Sequence, residues 1–210
     1  MNPLLTIKRL FAPKEDKERI DRVKSFIEKQ CANTQTELPP KAKEQPKELE
    51  ELFTIEEDED FFFGLVDRSL YTFNNIGKEH MPDGEKLIAL IYCYRFETNG
   101  GGTTTYLSNS TGDEADQLDW ALETIGSENL AAKFKEIKNE FPKGSIPSDR
   151  NRRCEHIELW EKKFGKLCNS MDHLYFELED SETNNLMAMA VRWARKNKIE
   201  FVPVASGQRR

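Results

Sequence analysis

Sulfur and imidazole are scarce in this chain, which has four cysteines and three histidines in 210 residues. Cys31, Cys93, Cys154 and Cys168 form no C-x-x-C pair, which argues against a disulfide framework. Cys93, within LIALIYCY, reads as a small buried apolar residue. No run approaches the roughly 18 apolar residues that a membrane span needs. The opening MNPLLTIKRLFAPKEDKE has too short an apolar stretch for a secretory signal and no small-residue cleavage site. The expected location is therefore cytoplasmic. Apolar residues make up 37% and charged residues 33%, so a modest core must carry a wide wetted surface.

Catalytic signatures are also missing. No Lys or Arg falls between Asn99 and Asp113, although NGGGTTTYLSNSTGD is rich in glycine and hydroxyl groups. A phosphate cradle of the G-x-x-x-x-G-K-[ST] type needs that lysine, and no G-x-G-x-x-G follows a strand. There is no G-x-S-x-G elbow, and His80, His156 and His173 stand directly beside no Ser or Cys. The simplest role for residues 99 to 113 is a corner: Asn99 and Gly100 end one helix, Asn109 to Thr111 cap the next, and Tyr106 packs beneath.

What the chain does have is an uneven charge. Its net −7 divides into +2 over residues 1 to 50, −13 over 51 to 130 (4 Lys+Arg against 17 Asp+Glu) and +4 over 131 to 210. The middle segment would repel a nucleic acid or an anionic membrane and attract a basic protein. Glu56, Glu57, Asp58, Glu59 and Asp60 form one acidic cluster. Asp113, Glu114, Asp116, Asp119 and Glu123 form a second, with Asp116, Asp119 and Glu123 expected on one helical face.

Periodicity predicts helices. Ile20, Val23, Phe26 and Ile27 mark one amphipathic helix in residues 1–30, and the proline-bearing residues 31–50 read as a linker. Residues 51–200 read as a helical domain and 201–210 as a tail. Within the domain, Phe62, Leu65, Val66, Ser69, Leu70 and Phe73 line one helix, and Leu87, Ile88, Leu90, Ile91 and Tyr94 line the next, opened by Pro82 and ended at Asn99-Gly100. Further helices are expected over residues 113–125 (stopped by Gly126), 128–141, 149–169, 172–179 and 182–196. IEFVPV is the one candidate strand. The fold class is all-α: a multi-helix globular bundle with short turns and, at most, one short C-terminal strand.

Other chemistries fit less well. Cys154, His156, Cys168 and His173 resemble a zinc set, but on a continuous helix 14 residues span roughly 21 Å, too far for one ion. Asp113, Asp116 and Asp119 offer magnesium ligands without a substrate-binding companion, and DEADQLDWALE lacks the glycine of a calcium loop. No metal and no cofactor is expected. Paired carboxylates leave a small carboxylate- or metal-dependent hydrolase as the alternative function. Arg150, Arg152 and Arg153 are interspersed with acids and carry no stacking aromatics, so direct nucleic-acid binding is not expected. Phe61, Phe62 and Phe63 cannot all face one core. Trp120 and Trp193 are expected in the core, and Trp160 half-covered.

The order YCYRFETNGGGTTTYLSNSTGDEADQLDWALETIGSENLAAKFKEI, followed by FPKGSIPSDRNRR, resembles the bacterial DNA-mimic protein family of the nineteen-kilodalton type. Tyr92, Asn99, Gly100, Gly101, Tyr106, Asn109, Ser110, Gly112, Ile125, Gly126, Phe141, Pro142, Pro147, Arg150 and Arg153 carry the likeness, over roughly residues 82 to 155. One departure is the three threonines after Gly102, where relatives tend to have an aromatic. The resemblance implies a mainly helical fold, a homodimer, and imitation of DNA by surface carboxylates towards a basic, DNA-binding protein. Arg150 and Arg153 would then pair with carboxylates inside the bundle. A pairwise defence role such as toxin neutralisation has no discriminating residue.

Overall fold

The structure, a computed structural model, describes residues 46–203. The helix expected in residues 1–30, most of the linker and the end of the tail lie outside the described residues. Eight α-helices follow one another among the described residues: α1 Leu49–Leu52, α2 Asp58–Asn75, α3 Asp83–Ser108, α4 Leu118–Thr124, α5 Glu128–Asn139, α6 Arg150–Leu159, α7 Glu161–Glu179 and α8 Leu186–Lys196. Short 3-10 turns join several of them. The all-α class read from periodicity holds.

Local chemistry explains most boundaries. Asp58, Glu59 and Asp60 occupy the first turn of α2, where carboxylates meet the positive end of the helix dipole. Pro82 precedes α3 with extended geometry. Asp149 caps α6 by accepting the Arg152 N–H at 2.9 Å, and Asn185 caps α8 by accepting the Ala188 N–H at 2.9 Å. Arg195 and Lys196 close α8 at its negative end.

Helix α3 is the axis of the bundle and packs against α2, α4, α6, α7 and α8. Leu87, Ile88, Ile91 and Tyr94 on it are fully buried, as their spacing predicts. Phe61 and Phe62 of α2 are buried with them while Phe63 is 43% exposed, the division that three consecutive residues on a helix must make. Glu85 is buried beside Arg68, whose Nε donates to Oε1 at 2.9 Å. Burial pushes the Glu85 carboxyl above its ordinary value, against the pull of that guanidinium.

Five expectations are corrected. First, helical geometry stops at Gly101 and Gly102, next to the expected Asn99-Gly100 stop, but a second helical segment follows at once and carries α3 on to Ser108 where a corner was expected. Gly102 has φ +80, and a Cβ there would stand 2.6 Å from Asp172 Oδ2. The break frees the Thr103 N–H, which donates to Asp172 Oδ1 at 2.7 Å, joined by the Thr103 hydroxyl at 2.5 Å. Residues 99 to 108 thus pass through a helix break pinned by a carboxylate of α7, with Tyr106 fully buried below.

Second, Ser110–Gln117 is a 3-10 segment and α-helical geometry begins only at Leu118. Third, residues 149–169 hold two helices, parted at Trp160 (φ −120), and residues 172–179 belong to α7. Fourth, IEFVPV is not a strand: Lys198–Phe201 is a 3-10 turn, and no strand occurs among the described residues to pair with it. The Phe201 ring is drawn into the core against Phe53 and Trp193. Fifth, Trp120 and Phe73 are 38% and 41% exposed, because no neighbouring element covers their sides of α4 and α2. Trp160 is 50% exposed, as its sequence context suggested. No helix among the described residues is long and apolar enough to cross a membrane.

The pinned break gives a direct test. Gly102→Ala combines a left-handed φ with a clash against Asp172, and is expected to lower unfolding free energy by about 1–3 kcal/mol in urea titration. Gly100→Ala, whose Cβ meets nothing within 4 Å, is the matched control.

Candidate protein-binding surface

The second acidic cluster is where the fold departs most from a free anionic face. Asp113 receives the Arg153 Nη2 at 2.6 Å. Asp116 accepts the Ile146 N–H at 2.8 Å and lies 3.5 Å from Lys138 Nζ, which also reaches Asp119 at 3.2 Å. Lys135 pairs with Glu123, and Lys78 with Glu114 at 2.7 Å. Asp116 lies in the 3-10 segment and Asp119 and Glu123 in α4, and all three are met by Lys135 and Lys138, one turn apart on α5. Four of the five acids in this cluster are engaged by cations from beyond residue 130.

The first cluster behaves differently. In Asp58 alone is the carboxylate taken, by Arg195 of α8 at 2.8 Å among the described residues. Arg195 also donates to the Ile55 and Glu56 carbonyls at 3.0 Å each and lies 4.3 Å from the centre of the Phe61 ring. It fixes the turn that enters α2. Glu56, Glu57, Glu59 and Asp60 are all exposed and have no ion pair with a described residue.

Several of the residues carrying the sequence resemblance, among them Asn109 and Pro147, meet around one buried cation, Arg153. Arg153 is fully buried, although nothing near it in sequence announces this. Its Nε donates to the Leu107 carbonyl at 2.9 Å, Nη1 to those of Pro147 and Ser148 at 2.9 and 2.8 Å, and Nη2 to that of Asn109 at 2.7 Å and to Asp113. Arg150 Nε donates to the Ser108 carbonyl at 2.6 Å. Two arginines of α6 thus cap the C-terminal end of α3, satisfying carbonyls that the helix leaves without partners. Asn109 donates to Glu97 at 2.7 Å, and Asn99 accepts the Tyr175 hydroxyl at 2.9 Å. A Cβ on Gly112 would stand 2.4 Å from the Tyr106 carbonyl, so the chain passes here only as glycine. Gly101 lies at the break in α3, Gly100 faces open space, and Gly126 (φ +89) turns the chain between α4 and α5. These are the positions of a scaffold.

The chain belongs to the DMP19-like protein family. The model of that family matches residues 79–197, more than half of the chain, from just before α3 to the end of α8. Neither the curated proteins nor the solved structures gave a match. The matched span contains the whole Arg153 assembly and excludes the first acidic cluster.

Groups considered for chemistry are dispersed. His156 Nε2 shares a hydrogen bond with the Glu140 carbonyl at 2.7 Å, His173 faces Glu177, and the Cys154 thiol faces the Ser108 carbonyl. No three His, Cys, Asp or Glu side chains among the described residues are grouped to hold a metal. Burial pushes the Cys93 thiol up to about 12 and Cys168 to about 11, leaving both protonated at neutral pH. Sequence reasoning gave no sign of Lys138, Asp172 or Arg195 as partners, since each acts across a long sequence separation.

Two predictions follow from this electrostatic layout. Arg153→Met strands buried carbonyls without donors, and is expected to cost at least about 3 kcal/mol in thermal or urea unfolding. Arg153→Lys, a point charge without the planar fork, should rescue little of it. Glu158 of α6 is pushed up to about 7 by burial, with Glu161 and Glu155 adding repulsion. With a folded-state pKa above the unfolded value, the contribution of this group to stability is fully present below about pH 4.5 and is lost as pH rises through 7. Glu158→Gln should flatten that decline, read as the pH dependence of the unfolding midpoint.

Proposed function

We propose that this protein is a non-enzymatic binding protein that presents carboxylates to a basic partner in the cytoplasm, imitating DNA towards a DNA-binding protein. Membership of the DMP19-like family carries the reading. The acids best suited to it are Glu56, Glu57, Glu59 and Asp60, at the entry to α2. Glu123 and Glu114 supplement them. Their pairs with Lys135 and Lys78 are solvent-exposed, and such pairs are worth at most about 1 kcal/mol, so a strongly basic surface can replace the internal lysine. Asp119 and Asp113 serve the fold, held by Lys138 and by buried Arg153. A partner reading this surface exchanges its counterions against carboxylates as it does against phosphates, so binding weakens as salt rises.

The test is competition. A basic DNA-binding protein holding a labelled duplex is titrated with the full chain at about 50 mM salt and again at about 200 mM. Release at low salt that fades at high salt is expected, and Glu59→Gln with Asp60→Asn should reduce it several-fold. No release at low salt overturns the reading.

A further inference from the structure

A line of rings, exposed at Phe63 and Phe96 and half-buried at Tyr92, crosses from α2 to α3 beside the first acidic cluster. Phe63 meets Tyr92 edge-on at 6.5 Å, and Tyr92 stacks on Phe96 at 6.1 Å with 27° between planes. Phe96 is 63% exposed, more than a core-forming ring at this helix pair would be. On α2, Asp60 and Asp67 stand three residues before and four after Phe63, on the same side of the helix. Both are exposed, and neither has an ion pair with a described residue. No described Lys or Arg stands over Phe63, Tyr92 or Phe96.

The chain itself shows what such a combination holds. Arg195 lies over the Phe61 ring while binding the Asp58 carboxylate, and Lys198 lies 5.3 Å from the Phe53 centroid with Glu50 at 3.8 Å. In each case a ring face supplies the negative quadrupole and a carboxylate supplies the charge. The Phe63–Tyr92–Phe96 line with Asp60 and Asp67 is the same set of groups, repeated and turned outward.

We propose that this line seats an arginine-bearing segment of the basic partner, with guanidinium groups stacked on the rings and paired to Asp60 and Asp67. The proposal rests on the function put forward above and adds where and by what chemistry the partner is held. Carboxylates alone accept lysine and arginine alike. Ring faces favour the planar, weakly hydrated guanidinium, so the surface discriminates for arginine.

The probe is a fluorescein-labelled decapeptide of alternating Arg and Gly, titrated with the full chain and followed by anisotropy, with an alternating Lys-Gly peptide as comparison. The Arg peptide should bind more tightly. Phe96→Ala and Phe96→Leu should each weaken it about two- to fivefold, the range of an exposed cation–π contact. Asp60→Asn with Asp67→Asn should weaken both peptides and lower the salt dependence, while Glu128→Gln should change nothing. Equal affinity of the Phe96 variants and the parent for the Arg peptide overturns the proposal. So does sedimentation showing a dimer that Phe96→Ala dissociates, because a second copy then covers the rings. If the Phe96 and Asp variants still release DNA from the basic protein as the parent does, this inference fails and the wider function stands. If the parent chain neither binds the Arg peptide nor releases DNA, both fail.

Discussion

The buried guanidinium of Arg153 is the contact on which the arrangement of the family-matched region depends. Removing a full charge from water costs several kcal/mol unless every donor finds an acceptor, and here four carbonyls and one carboxylate supply them. Those acceptors come from the end of α3, the 3-10 segment and the turn before α6. One side chain thereby fixes three stretches of backbone that share no regular hydrogen-bond ladder. The Asp113 carboxylate is consumed in the process, which is why it belongs to the scaffold.

The break in α3 is the complementary device. A helix of this length would otherwise carry its apolar stripe straight past the core. The interruption at Gly102 lets Tyr106 and Leu107 turn inward and places the Leu107 carbonyl where Arg153 reaches it. The amide freed by the break is met by Asp172 of α7, and the carbonyls freed at the far end are met by α6. Both ends of the inserted turn are satisfied from other helices. Its geometry is therefore a tertiary property, held by groups more than 40 residues away.

The charge distribution follows from the same packing. Helices α5, α6 and α8 bring their lysines and arginines against the acidic middle of the chain. Within the net charge of −13 over residues 51 to 130, the acids of residues 113 to 123 are each met by a cation, whereas most of those at the start of α2 face outward with no ion pair to a described residue. Proximity decides which acids are available, and regional sums do not record proximity.

The helical class was legible because apolar spacing is a local property: Leu87, Ile88, Ile91 and Tyr94 recur at the helical period and are buried where that period puts them. Membership of the family was legible in the glycines, asparagines and arginines from 92 to 153, since backbone positions that admit only particular residues leave a fixed imprint. The sequence by itself determined the helical class, most of the core and the presence of excess negative charge. Tertiary structure alone decided that a second helical segment follows the glycine break in α3, that IEFVPV becomes a turn over a buried Phe201, and which carboxylates meet a cation. Each of these outcomes depends on the distance between groups far apart in the chain, which no local pattern specifies.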